Sequence, residues 1–216
     1  MEADKLLATN PANPQFQSLY AIVCMQTGDY TRALTFFDRI LSVVPADAGT
    51  LTSKGHALKT IGQTDNAVAS YRQAIDHHPD HGEAYFSLAN LKTYKFSDPE
   101  LKMMQEQEDN PLSTTLDRTH IKFALGKAYE DRQEFSLSFD QYAQGNALKK
   151  GQSRYATDQM LEEFEAQKRV CTSSLLSRRD KAGFDAPDPI FITGLPRAGS
   201  TLLEQLSLIH ISSPRD

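Results

Sequence analysis

The residues best equipped for chemistry stand near the end of the chain, in Pro189-Ile190-Phe191-Ile192-Thr193-Gly194-Leu195-Pro196-Arg197-Ala198-Gly199-Ser200-Thr201-Leu202-Leu203-Glu204-Gln205. A short apolar, β-rich run ends at Gly194, the chain then reaches Gly199, and Ser200-Thr201 open an amphipathic segment. A strand, a glycine-bracketed loop and a helix start leave the first helical N–H groups without intrahelical partners and turn the positive end of the helix dipole outward. The chemistry on offer is the cradling of an anion, above all a phosphate. Arg197, inside the loop, adds a planar fork of donors suited to a pair of phosphate or sulfonate oxygens.

The spacing Gly194-x-x-x-x-Gly199-Ser200-Thr201 fits the nucleotide-binding P-loop except that Ser200 stands where a lysine would reach the outer phosphates. Without that lysine, and with no later acidic strand to hold magnesium, nucleoside-triphosphate hydrolysis lacks its main charge contacts. Three readings therefore stand side by side: a ligand-free strand-turn-helix, a residual NTPase or kinase loop, and sulfonate transfer. The stretch resembles the 5′-phosphosulfate loop of sulfotransferases, Gly-x-Pro-Arg-x-Gly-[Ser/Thr]-Thr, at Gly194, Pro196, Arg197, Gly199, Ser200 and Thr201.

That resemblance implies transfer of a sulfonate from 3′-phosphoadenosine 5′-phosphosulfate (PAPS), as co-substrate, to an acceptor hydroxyl, a protein tyrosine being one candidate. It implies no metal. Arg197 would neutralise the departing phosphate as the catalytic residue, Ala198 and Gly199 would offer backbone N–H groups to the 5′-phosphate, and Ser200 and Thr201 would add hydroxyl donors. Gly194 and Pro196 would complete the cofactor-binding set, Pro196 by shaping the turn. Glu204, one helical turn past Thr201, is weighed as a general base against a structural role.

The elements ahead of this loop form a repeat. Gly28, Tyr30, Ala33, Phe37, Ile40 and Pro45 recur 34 positions later as Gly62, Thr64, Ala67, Tyr71, Ala74 and Pro79. This period and residue pattern is the signature of the tetratricopeptide repeat, a helix-turn-helix unit. The glycine turns helix A into helix B, the alanines admit a neighbouring helix, the aromatic fills the gap and the proline ends helix B. Unit one spans about residues 14–47 and unit two 48–81. Unit three begins at Gly82, but Lys95-Phe96-Ser97-Asp98-Pro99-Glu100 replaces its turn, so the period is expected to break there and Leu101–Gln107 to stay helical. Unit four restarts at about Thr119. From Arg154 one further helix, with Met160, Leu161, Phe164, Val170 and Leu175 apolar, is expected to cap the array and stop before Gly183.

The combination resembles bacterial tetratricopeptide-repeat sulfotransferases, in which an array precedes an α/β catalytic domain. The expected fold is mostly α: a repeat array followed by the first strand-loop-helix of an α/β, P-loop-like sulfotransferase domain. Its expected divisions are a lead-in (1–13), the array (14–151), a capping helix and joint (152–186), the start of the catalytic domain (187–205) and an atypical tail (206–216). The tail departs from the family's pattern, so the chain reads as truncated shortly after the loop and inactive alone. The alternative is a non-enzymatic protein-protein interaction module.

With 216 residues, 39% hydrophobic and 24% charged, composition is that of an ordinary folded protein. The net charge of −5 argues against nucleic acid as the partner and leaves a peptide or protein on the array. Lys168-Arg169 and Arg178-Arg179-Asp180-Lys181 form a local basic run, read as solvated cations or as a field drawing an anion to the loop. Cys24 and Cys171 lie in no metal or redox spacing, which fits a reducing, cytoplasmic setting without a membrane span. His56, His77, His78 and His81 make no metal site on this spacing and are expected to meet carbonyls at a helix end.

Overall fold

The computed structural model describes residues 2–91, 93–108, 110–111, 113–153, 156–177, 193–194 and 199–203. Among these residues all regular structure is helical, and the expected strand over 189–192 lies outside them. The chain divides into two compact units, Met1–Tyr155 and Ala156–Asp216.

The first unit holds α1 (Glu2–Thr9), α2 (Pro14–Gln26), α3 (Tyr30–Val43), α4 (Ala48–Thr60), α5 (Thr64–His77), α6 (Gly82–Ala89), α7 (Asp98–Gln107), α8 (Thr115–Asp131) and α9 (Phe135–Gln152). The lead-in is thus itself a helix, held to α2 where Tyr20 donates its hydroxyl hydrogen to Asp4 at 3.1 Å. From α2 onward the helices form four pairs. Side chains start several of them: Asn13 accepts from the Gln15 N–H (2.9 Å), Asp29 from Arg32 (3.1 Å), Asp47 from Thr50 (3.0 Å) and Thr114 from Asp117 (3.1 Å). Each such cap contributes about 1 kcal/mol.

The turn inside a pair is built the same way three times. Gly28 and Gly62 adopt φ of 83° and 82°, and the following N–H groups, of Asp29 and Gln63, reach back to Cys24 (2.8 Å) and Leu58 (2.9 Å). This bond between the residue after the left-handed one and a carbonyl five residues back satisfies acceptors orphaned at the helix end. In the fourth pair Gln133 takes that place at φ 63°, with Glu134 bonded to Tyr129 at 2.9 Å.

The third pair departs, though not where the sequence suggests. α7 begins at Asp98, 34 residues after Thr64 begins α5, so the period survives the irregular turn. It fails after α7, and the left-handed turn residue of pair four, Gln133, falls 71 rather than 68 residues after Gly62. Unit four correspondingly starts earlier than Thr119, because α8 opens at Thr115. Lacking a glycine to turn on, α6 stops at Ala89, and the segment after it is tied down by side chains. Ser97 donates its backbone N–H and hydroxyl to Glu100 (both 2.8 Å), Tyr94 donates to the same carboxylate, and Arg72 bonds Tyr94 (3.0 Å) and Glu100 (3.1 Å). Phe96 is buried against Tyr94 edge-on, with centroids 5.2 Å apart.

The link after α7 is held by a buried charge that the periodicity does not announce. Lys122, 4% exposed, donates to Glu108 and to Gln144 (2.8 Å), while Gln141 donates to Glu108 at 2.6 Å. The rest of the interior is apolar and falls into two clusters. The first comprises Tyr20, Ala21, Cys24, Ala33, Phe36, Phe37, Ile40 and Ala57. The second runs from Ala48 to Tyr129, with Tyr71, Tyr85, Leu88, Met104 and Ile121 among its fully buried side chains. Leu34 packs against both. Each large side chain so buried contributes about 1.5–3 kcal/mol before chain entropy is set against it.

The second unit contains α10 (Thr157–Val170) and α11 (Ser173–Ser177). The single helix expected from Arg154 to before Gly183 is therefore broken at Cys171. Cys171 leaves the helical region (φ −80°, ψ 62°), and the Thr172 hydroxyl accepts from the Leu175 N–H at 3.2 Å, which starts a new helix. Met160, Leu161, Phe164 and Val170 are exposed, and Lys168 of the basic run pairs with Glu165 at 2.7 Å.

Candidate functional site

The first helices of successive pairs follow one another along the array, with α4 packed on α6 and α6 on α8. Residues separated by one period occupy equivalent places there. Ser18, Thr52 and Phe86 are 34 residues apart, and Phe123 follows Phe86 by 37, the lengthened third period. Glu83 and His120 are related in the same way. The sequence thus sets Phe86 beside Phe123, and Glu83 beside His120, in neighbouring repeats.

The side chains join across the helices. His56 on α4 shares a 2.9 Å hydrogen bond with Ser87 on α6, and His81, at the start of α6, shares one of 2.9 Å with Thr52. The Phe86 ring stacks on His120 with centroids 5.0 Å apart and planes at 12°. Phe86 also meets Phe123 at 6.1 Å, and Phe123 meets Tyr142 at 6.3 Å. Phe86, His120, Phe123 and Tyr142 are all half-buried, so their rings are fixed in place yet reach solvent. Glu83, one turn before Phe86 on α6, is exposed.

Burial holds both His56 and His120 below the ordinary imidazole value, partly opposed by the nearby Glu83 carboxylate. Both rings are therefore neutral near pH 7. The Nδ1 atom of His120 is buried without a hydrogen-bond partner. Burial, reinforced by the Glu130 carboxylate that accepts from it at 3.0 Å, pushes the Tyr142 phenol up to about 12. The expectation that the histidines meet helix-end carbonyls fails for His56 and His81, which bond to hydroxyl side chains of adjacent helices instead. Tracing the 34-residue period through the first helices, as well as the second, is the signal that would have singled out this face. Among the described residues no group of three histidine, cysteine or acidic side chains could hold a metal.

The loop singled out by the sequence is described only at its edges. Gly194, Gly199, Ser200 and Thr201 are exposed. Gly199 has φ 86°, Ser200 to Leu203 form a helical turn, and the Leu203 N–H reaches the Gly199 carbonyl at 3.0 Å. Pro196, Arg197, Ala198 and Glu204, and the tail over 206–216, lie outside the described residues.

Comparison with known proteins bears on the array. A family profile described as tetratricopeptide repeat matches residues 2–49 and 52–91. The match covers α1 to α6, whose helix pairs and 34-residue period are of the tetratricopeptide type. The crystal structure of MamA is similar over 71% of this chain and 88% of its own, at 15% identity and a TM-score of 0.50. YrrB, a tetratricopeptide-repeat protein with an unusual peptide-binding site, is similar over 70% and 76%, at 15% identity and a TM-score of 0.50. At such identity these likenesses show the repeat fold alone. A curated protein of Aquifex aeolicus (strain VF5), described as uncharacterized, is 25% identical over 199 residues, 91% of this chain and 26% of the relative. The chain spans about a quarter of that relative's length. Among the described residues no helix is long and apolar enough to cross a membrane.

Proposed function

We propose that the repeat array docks an extended peptide or protein segment along the face of its first helices. One observation carries this reading: Phe86, His120 and Phe123 line up across α6 and α8 half-buried, whereas Phe37, Tyr71 and Tyr85, the rings that hold the repeats together, are fully buried. Rings fixed by packing but open on one side offer contact area at little entropic cost, which is how binding surfaces gain affinity. The peptide-binding site of YrrB, on the same fold, supports it by analogy.

The test is selection from a random peptide display library on the full 216-residue chain, followed by titration of the retained peptides. Phe86→Ala and Phe123→Ala should each weaken binding about tenfold or more, with circular dichroism unchanged. A library that yields no binder, or binders indifferent to both substitutions, overturns the reading.

A second reading concerns the loop over 194–201. The left-handed Gly199 directly before a helical turn, with the spacing of Gly194, Arg197 and Ser200 in the sequence, supports PAPS binding and sulfonate transfer, with Arg197 on the leaving phosphate. Calorimetric titration with 3′-phosphoadenosine 5′-phosphate tests it; affinity unchanged by Arg197→Ala rejects the role of Arg197. Two free thiols, buried Cys24 and exposed Cys171, support a reducing, cytoplasmic setting for either activity.

A further inference from the structure

Resting on the peptide-docking reading, we infer that the patch formed by Glu83, Phe86, His120 and Phe123 receives a basic side chain of the docked segment, an arginine above all. The carboxylate is the first element. Glu83 is exposed on the first turn of α6, where a negative charge suits the helix dipole. Among the described residues it enters no hydrogen bond or ion pair, while the acids of α8 are engaged, Asp117 by the Gly82 N–H, Glu130 by Tyr142 and Asp131 by Lys127. It stands one turn before Phe86 on α6, and its charge is felt by His56 on α4 and His120 on α8.

Those rings do not neutralise it. Burial keeps both imidazoles uncharged near neutral pH, and the other charges facing them are divided in sign: Lys59 near His56, and Asp117, Lys149 and His81 near His120. The aromatic faces are the second element. This chain's own cations lie over other rings, Arg32 over Tyr20, Arg39 over Phe36, Arg72 over Tyr94 and Lys168 over Phe164. Among the described residues none lies over Phe86 or Phe123.

A carboxylate beside half-open aromatic rings selects a cation, because the ion pair and the negative ring faces act on the same charge. The planar guanidinium is favoured over an ammonium, since it can lie flat on a ring while its edge bonds the carboxylate bidentately. An acidic segment or a peptide C-terminal carboxylate would instead meet Glu83 as a like charge.

The experiment uses the full chain and the peptides retained in the library selection, with N-acetyl-arginine amide, N-acetyl-lysine amide and N-acetyl-glutamate amide as small probes. Retained peptides should be enriched in arginine, and Glu83→Gln should weaken them about tenfold while Glu83→Lys abolishes the preference. The exposed position of Glu83 leaves folding of both variants intact, as circular dichroism will verify. N-acetyl-arginine amide should shift the His120 and Phe123 ring resonances with the largest change of the three probes. Peptides that bind through Phe86 and Phe123 but show no basic preference, or tolerate Glu83→Gln, overturn the cation inference and leave docking standing. If no peptide is retained, both fail.

Discussion

Two glycine-to-alanine substitutions in neighbouring repeats should move stability in opposite directions. Gly82 opens α6 where that helix crosses α8, and its N–H donates to the Asp117 carboxylate at 3.0 Å. A β-carbon there would lie 2.2 Å from the Asp117 carbonyl oxygen and 2.7 Å from its Cα, both backbone atoms that cannot rotate aside. An ordinary carbon–oxygen contact is about 3.3 Å or more, so the two helices must part by about 1 Å. Tyr85, Leu88, Ile121 and Leu125, fully buried on α6 and α8, would lose contact as they part. A gap of that size forfeits about a quarter to a half of each contact's attraction, and overpacking of this kind costs about 1–3 kcal/mol.

Gly49, near the start of α4, has nothing within 4 Å of its prospective β-carbon, so Gly49→Ala should gain about 0.5–1 kcal/mol by helix propensity. At about 2–4 °C per kcal/mol for a protein of this size, scanning calorimetry should show Gly82→Ala melting several degrees lower and Gly49→Ala a degree or more higher. Shifts of the same sign, or a Gly82→Ala melting point within a degree of the parent, would refute the packing argument.

Gln133 holds a left-handed turn that Gly28 and Gly62 hold elsewhere; relief of about 1–2 kcal/mol of backbone strain, less the entropy glycine adds to the unfolded chain, should make Gln133→Gly more stable by about 0.5–1 kcal/mol, measured by urea unfolding. Stability should also fall on acidification. Because burial lowers the folded values of His56 and His120, the unfolded chain binds protons that the folded one refuses, so the contribution is whole above about pH 6.5 and is lost as pH drops through that value. Melting points at pH 7.5 and 5.5 should differ in that sense, and His120→Phe, which keeps a ring against Phe86, should narrow the difference.

The helices were legible where one residue type has one physical job. Gly28 and Gly62 mark turns because few other residues accept φ above 80°, and Ala33 and Ala67 mark helix crossings because nothing larger fits. Gln133 escaped notice for the complementary reason: a left-handed residue with a side chain carries no sign in its letter. The binding face was harder. Phe86 and Phe123 obey the same helical spacing as core residues, and only the distances to His120 and Tyr142, with the half-burial of all four, separate a surface from an interior. Lys122 reads as a surface cation until Glu108 and Gln144 close around it, a meeting that depends on a link and on α9, both remote in sequence.

The smaller apolar cluster uses no residue beyond Ala57, whereas the larger one is incomplete until Ile121, Leu125 and Tyr129 are present. During synthesis the chain emerges from its amino end at about 5–20 residues per second. The first block can therefore close while α8 is still untranslated, and Leu51 and Leu58 on the other side of α4 stay bare only until α5 and α6 arrive. The growing array meets each new helix with a template already formed, and the exposed edge moves forward one pair at a time until the final pair is made.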